Sequence, residues 1–577
     1  MMEELPLRNL HASVDEVEEG DDQGWGDDEE DHFVLLQRND PKLHNLNIGS
    51  DDFFELPHDD DWERTGQCIG DHEHLKELCL GAMDGVGRDK LEAMCRGVAR
   101  NRSITHIEFT HVNLFGGKEF EMLTPFFMQN GNLEHLKILD FSDTITHFDP
   151  EGIRLFFTAL SRFHSLTEII VPFISIGEKG AGGLLKALVG HVRLRTLDLM
   201  GNDIGSSGCT SLASLLKIPT SELRSLKLFS NSIDDEGAAV LADGLAENNT
   251  LKCLHLGRNT EITETGWRAI FAVLQSSSCT LEELDLSEGG LDNDAVVSLV
   301  NSLSRNSSIK TLNLSFHDDH NGNISRTGWQ AFFAFLQTKN ASLEYLRLRG
   351  EDFSDDDAIS MANALTYNSK LRELDISGND DITIRGWRAI SSALESTNTA
   401  LEKLNLRWST VNNDDAAIVF ANSLANNRKL TELNVASDGG FMIPAVTTRG
   451  WAAFTTALCN NSSIIDTYLS NHTLNVIRDT GGNLPPHLRG HLQLNRDNSK
   501  TQAARLKIIK CHFNNDSKLQ PLTDLDAEIL PHAIAWMGRD SERKEGIRLL
   551  YRFVRSMPVL FCISERNKKR KRKTQTR

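Results

Sequence analysis

The stretch LRSLKLFSNSIDDEGAAVLADGLAENNTL, residues 223–251, changes its hydrophobic period part-way along. Leu226 and Leu228 alternate with Lys227, the period of a strand with one buried face. Ala238, Leu241, Ala242 and Leu245 then fall at i, i+3, i+4 and i+7, a single stripe along a helix. Asp234, Asp235 and Glu236 ahead of that stripe suit a helix N-terminus. A strand and a helix within about 29 residues cannot bury two apolar faces alone, so the unit needs neighbours built like itself.

Those neighbours are present. The template Leu-x-x-Leu-x-Leu, with conservative variation, begins at 75, 104, 136, 166, 194, 223, 251, 281, 309, 343, 371, 401, 430 and 464. Such a period predicts a solenoid in which strands line the inside and helices the outside. The unit resembles the leucine-rich repeat of the ribonuclease-inhibitor type, and the resemblance covers roughly residues 75–480. It implies an α/β fold: a leucine-rich-repeat solenoid, curved like a horseshoe, with a parallel β-sheet on the concave side and helices on the convex side. The first and last repeats are weak matches. The loops before Trp329 and Trp451, FHDDHNGNISRTG and ASDGGFMIPAVTTRG, are longer than the pattern needs.

A second period lies on the first. TGWRAIFAVL (265–274), TGWQAFFAFL (327–336), RGWRAISSAL (385–394) and RGWAAFTTAL (449–458) place Trp267, Trp329, Trp387 and Trp451 in every other repeat. Aligned on the helices, the same column reads Ala238, Val296, Ala358 and Ala417 in the repeats before them. Stacked helices compete for one volume, so a large side chain needs small neighbours to reach native density. The structural unit is therefore a pair of repeats, and the tryptophans are core rather than a ligand box. Ribonuclease-inhibitor arrays also alternate two repeat types, which supports the pairing.

Charge marks off the ends of the 577-residue chain. Of a net −21, residues 1–61 contribute 20 acidic against 3 basic side chains, whereas the last twelve residues, RNKKRKRKTQTR, hold eight basic ones. The expected organisation is an acidic disordered tail over 1–61, the repeat array over 62–483, a helical cap over 484–563 and a basic disordered tail over 564–577. Lys568, Lys569, Arg570, Lys571, Arg572 and Lys573 form a candidate nuclear-localisation run. Lys544, Arg548, Arg552 and Arg555 line one side of a basic amphipathic helix over 543–555, suited to an acidic partner or to contact with an anionic membrane surface. Nine scattered cysteines without a CxxC pair read as reduced thiols, and the first residues show no secretory pattern. The expected location is cytoplasmic, nuclear or both. No apolar run is long enough to span a membrane, and an acidic body disfavours nucleic acid. Sequons such as Asn306-Ser-Ser read as polar turns.

Catalytic motifs are missing. GEKGAGG (177–183) lacks the completion of a phosphate loop and falls where the repeats start their helices. DHEH (71–74) and HDDH (317–320) have no second paired motif, so neither is read as a metal site, and no cofactor or small-molecule substrate is expected.

The remaining candidates are the residues between the leucines. The middle column runs Glu108, Asp140, Ile170, Asp198, Lys227, His255, Asp285, Asn313, Arg347, Asp375, Asn405 and Asn434. With their neighbours they nominate Phe229, His255, Asp285, Tyr345, Arg347, Arg349, Asp375, Lys403, Arg407 and Trp408 as a partner-binding face. The aromatic and arginine-rich zone from Tyr345 to Trp408 is the best hot-spot candidate, since such residues dominate interface energetics. The expected function is a non-enzymatic recognition scaffold holding a protein partner on the concave face. An alternative follows from a second resemblance: Ran GTPase-activating proteins also join such repeats to an acidic tail, which implies a regulator of a small GTPase. In them the tail follows the array, whereas here it precedes it. The sensor half of an immune receptor is disfavoured, because no nucleotide-binding segment precedes the repeats.

Overall fold

A computed structural model describes residues 32–48, 62–81, 88–110, 132–139, 158, 160–161, 165–174, 176–316, 324–338, 341–407, 409, 413–436, 446–479 and 484–512. Among the described residues, fifteen strands form one sheet in sequence order, every neighbouring pair parallel. They are β1 (Asn45–Ile48), β2 (Glu77–Gly81), β3 (His106–Thr110), β4 (His135–Leu139), β5 (Glu168–Ile170), β6 (Thr196–Asp198), β7 (Ser225–Lys227) and β8 (Cys253–His255). Then follow β9 (Glu283–Asp285), β10 (Thr311–Asn313), β11 (Tyr345–Arg347), β12 (Glu373–Asp375), β13 (Lys403–Asn405), β14 (Glu432–Asn434) and β15 (Val476–Arg478). From Glu168 to Asn434 each strand is three residues long with its central residue buried. One hydrophobic core runs the length of the array between sheet and helices. Among the described residues, no helix is long and apolar enough to cross a membrane.

Three details depart from the sequence reading. The sheet begins at β1, inside the stretch assigned to the acidic tail: Leu46 and Ile48 are buried and pair with Leu78 and Leu80. The template at 136 is three residues out of register. Leu136 aligns with Ile107 and is therefore the central leucine of β4, with Leu133 opening the repeat and Lys137, not Asp140, in the middle column. LEHLKI and LKILDF satisfy the same template, and the pairing of Leu136 with Ile107, with Leu133 buried, selects the first. The last match, IIDTYL, is not a strand: Ile464–Leu469 is a short helix capped by Ser463, and β15 follows it. Within the stretch assigned to the helical cap, the segment SKTQAARLKIIKCHF (499–513) holds the helix Lys500–His512. The helix over 543–555 and the basic run at 568–573 lie outside the described residues, as does HDDH at 317–320.

The paired repeat is built as its tryptophan column requires. Trp267, Trp329 and Trp387 are buried to 2% or less, and Ala238, Val296 and Ala358 are fully buried in the helices before them. Each tryptophan follows a glycine, and the reason is close approach. A Cβ on Gly386 would lie 2.7 Å from Asp355 Oδ1 and 3.0 Å from Ala358 Cβ. That Asp355 carboxylate bridges the two helices, accepting the N–H of Thr383 (2.8 Å), its hydroxyl (2.6 Å) and the N–H of Gly386 (2.9 Å). Asp235 does the same for Thr263 and Gly266, and Asp414 for Thr447 and Gly450. An acid at the first turn of the small-residue helix thus satisfies orphan donors of the next helix. Ala358→Leu should destabilise by about 1–3 kcal/mol through overpacking against this fixed spacing; a parent-like melting curve would refute it.

Asparagines close the other end of each unit. Asn248, Asn306, Asn368 and Asn427 donate from Nδ2 to the carbonyls of Leu216, Leu274, Leu336 and Leu394 one repeat back. Their Oδ1 atoms accept two N–H groups of their own turn, as in Asn306 with Ser308 and Ile309. His72 takes the acceptor part of this role: its Nδ1 accepts from His74 (3.2 Å) and Leu75 (3.0 Å), as Asn101 Oδ1 does from Ser103 and Ile104. DHEH therefore ends a helix at Asp71 and turns over His72–His74.

Candidate functional surface

The first and third residues of each strand form two rows across the concave face, fixed by the parallel register. One row runs Cys253, Glu283, Thr311, Tyr345, Glu373, Lys403; the other runs His255, Asp285, Asn313, Arg347, Asp375, Asn405. Neighbours along a row are about 4.8 Å apart.

The structure divides the nominated residues into two sets. Tyr345 is 40% exposed, and Arg347, Lys403 and Arg407 are exposed with it on or just beyond β11 and β13. Lys403 pairs with Glu373 of the intervening strand at 3.5 Å, a contact worth little at this exposure. Arg349 is half-buried beyond β11. The other set is engaged within the array. Asp285 accepts the N–H and hydroxyl of Ser287 on Oδ1 and the Asn313 amide on Oδ2. Asp375 makes the same three bonds with Ser377 and Asn405. Phe229 is half-buried, and a Cβ on Gly257 would come within 2.7 Å of its ring. Trp408 lies outside the described residues.

His255 belongs to a third arrangement that sequence reading passed over. Its Nε2 is 3.2 Å from Cys253 Sγ and 3.2 Å from Glu283 Oε1. Burial works against charge on this imidazole, but the hydrogen bonds to Cys253 and Glu283 and the nearby Asp285 raise its pKa. The signal was a Cys-x-His pair on one strand beside a strand that begins with Glu.

A recess at the N-terminal end was also missed. It encloses about 470 Å³ over β1 to β5 and includes His106, His135, Glu108, Lys137 and Glu168. The His106 and His135 rings stack at 4.0 Å, His135 Nδ1 lies 2.9 Å from Glu168, and Lys137 pairs with Glu108 at 2.8 Å. The signal was a histidine at one column position in THIEF and EHLKI. The register slip at 136 hid it by moving His135 off the strand.

A family model described as Leucine Rich repeat matches residues 194–213, 222–242, 247–271 and 367–391. The chain is 26% identical over 245 residues to NACHT, LRR and PYD domains-containing protein 5 of Homo sapiens, covering 42% of this chain and 20% of that protein. It is 32% identical over 194 residues to Protein CARMIL of Dictyostelium discoideum, covering 32% of this chain and 18% of that one. With Ribonuclease inhibitor of Mus musculus it shares 29% identity over 196 residues, 34% of this chain and 42% of that protein. The chain thus spans less than half the length of each of these relatives. Among solved structures, the complex of Rad7 and Elc1 in yeast aligns over 67% of this chain and 75% of that one, at 15% identity and a TM-score of 0.33.

Proposed function

We propose that this chain, a leucine-rich-repeat protein of the ribonuclease-inhibitor type, is a non-enzymatic scaffold that holds a protein partner against β11 to β13. Leucine-rich repeats and relatives built from them support a protein-binding role in general. The observation that carries the finer reading is the exposure of Tyr345, Arg347, Lys403 and Arg407 on one rigid stretch of concave sheet. An aromatic and three cations on or just beyond rigid strands need no backbone ordering on binding, and they match an acidic protein surface carrying apolar side chains. A surface row of this kind is long and open, which suits a folded partner better than a small molecule.

The test is capture of bound proteins from extract of the source cells by the parent chain and by an Arg347→Glu/Arg407→Glu variant. The variant should fold as the parent does, since both positions are exposed. It should lose one partner, and its affinity for that purified partner should fall by about 30-fold or more, the scale of a lost hot spot. An unchanged set of bound proteins would refute the assignment of this face.

A further inference from the structure

We propose that Cys253, His255 and Glu283 form a zinc site on the concave face. The three ligand atoms, Sγ, Nε2 and a carboxylate oxygen, lie within 4.8 Å of one another. Cys253 and His255 share one face of β8 because they are two residues apart, and the register puts Glu283 of β9 directly beside Cys253. No other arrangement of the backbone is needed to bring them together.

Their geometry is that of ligands around a point, not of a proton relay. In a nucleophile–base–carboxylate relay the two imidazole nitrogens face opposite partners. Here both partners approach the same nitrogen: Nε2 stands 3.2 Å from the thiol sulfur and 3.2 Å from the carboxylate oxygen. One ring nitrogen carries either a proton or a lone pair. Protonated, Nε2 has a single N–H to divide between the sulfur and the carboxylate, so each contact is one arm of a forked, weakened bond. Unprotonated, it accepts from the thiol and turns its lone pair toward the carboxylate. A divalent cation among the three atoms satisfies all of them at once. Zinc bonds of about 2.3 Å to sulfur and about 2.0–2.2 Å to nitrogen or oxygen give tetrahedral edges of about 3.3–3.6 Å, close to the two contacts observed.

The donor set selects the metal class. Thiolate, imidazole and carboxylate together suit zinc, whereas magnesium and calcium take oxygen ligands. Asp285, the fourth corner of the same block, does not complete the shell. Both its oxygens are engaged with Ser287 and Asn313, so it stays beside the site as a negative charge that favours a cation. Lys227, the cation on the β7 side, is 3.5 Å from Asp198 and is drawn toward that carboxylate. Three protein ligands leave one tetrahedral position open toward the groove, where a carboxylate or imidazole of a bound protein can complete it.

The test uses the full chain, stripped of metal by a chelator and titrated with cobalt(II). One equivalent should produce thiolate-to-cobalt charge transfer in the near ultraviolet and the intense visible bands of a tetrahedral centre. Zinc should displace it one for one. Cys253→Ser should abolish the charge-transfer band, and Glu283→Gln should weaken binding by about tenfold or more. Both residues are half-exposed, so parent-like melting is expected of each. A Cys459→Ser/Cys511→Ser variant removes a close pair of thiols elsewhere in the chain, with sulfurs 3.3 Å apart, and should leave the spectrum unchanged. Absence of the band in the parent, its survival in Cys253→Ser, or its loss in the Cys459/Cys511 variant would overturn the proposal.

Discussion

Trp387→Ala should lower the stability of the array by about 3–5 kcal/mol, the range for deleting a fully buried aromatic side chain. The indole is completely buried, 6.0 Å between ring centroids from Phe420 of the next repeat and flanked by Ala358 and Ala417 in the neighbouring helices. The cost depends on how far the site can collapse, and here collapse is opposed. The Asp355 carboxylate holds the N-termini of the two helices at fixed spacing through three hydrogen bonds. Ala358 and Ala417 are also too short to enter the vacated volume. In a solenoid the stability of each repeat depends on its interfaces, so losing this one should also divide the cooperative transition. Urea unfolding followed by far-UV circular dichroism should show an earlier and broader transition with a smaller slope. The double variant Ala358→Leu/Trp387→Ala should be less destabilised than the sum of its parts, because the leucine fills part of the cavity. A loss below about 1 kcal/mol for Trp387→Ala would mean that the tryptophans are not what sets repeat spacing.

The pairing of repeats was legible because it is written in side-chain volume along one helical face, and volume is a property of residue type alone. Strand positions were legible wherever the leucine template had one solution. Around 133–141 it had two, and the pairing of Leu136 with Ile107, with Leu133 buried, chooses between them. That ambiguity moved Asp140 into the concave column and His135 out of it, hiding the stacked histidines of the N-terminal recess. The bridging aspartates show the same limit. Asp235 reads as a helix-start residue, and it does start a helix, but its carboxylate, like that of Asp355, serves the helix one repeat later. Asp285 and Asp375 look like free concave charges in sequence and are tied to serines two residues on. Column position shows which face a side chain occupies. It does not show which neighbour has already claimed its polar atoms, because that depends on distances of a few tenths of an ångström between strands.

The C-terminal helices should come away from the array as pH falls from about 6.5 to about 4, before the repeats themselves lose stability. His472 and His491 are both 8% exposed, and both have their pKa lowered from 6.5 to about 4. Burial is the main cause at each; Lys507 and Arg428 add to it at His472, and Lys507, Lys510 and His487 at His491. The Lys507 ammonium is itself buried, donating to the carbonyls of Leu458 (2.7 Å) and Asn471 (3.1 Å), with His472 Nδ1 at 3.3 Å. Protonating that nitrogen would set two donors against each other. A histidine held neutral in the folded state binds fewer protons than it does unfolded. Stability is therefore lost as pH drops through 6.5, and the loss is complete only below the folded value of about 4. After allowance for solvent screening, the loss is about 2 kcal/mol for each histidine. The repeats respond in a different window. Asp235, Asp355 and Asp414 have lowered pKa values, with hydrogen bonds from the following helix driving the shift. Their contribution is intact above the ordinary carboxylate range and disappears only as pH falls through the lowered values. Hydrogen exchange at about pH 5 should thus show residues 464–512 opening while 223–436 stays protected. His472→Gln/His491→Gln should remove the difference between about pH 5 and neutral pH. Equal protection of both regions at about pH 5 would show that the two histidines take up protons in the folded chain as readily as in the unfolded one, and that neither is held neutral by its burial.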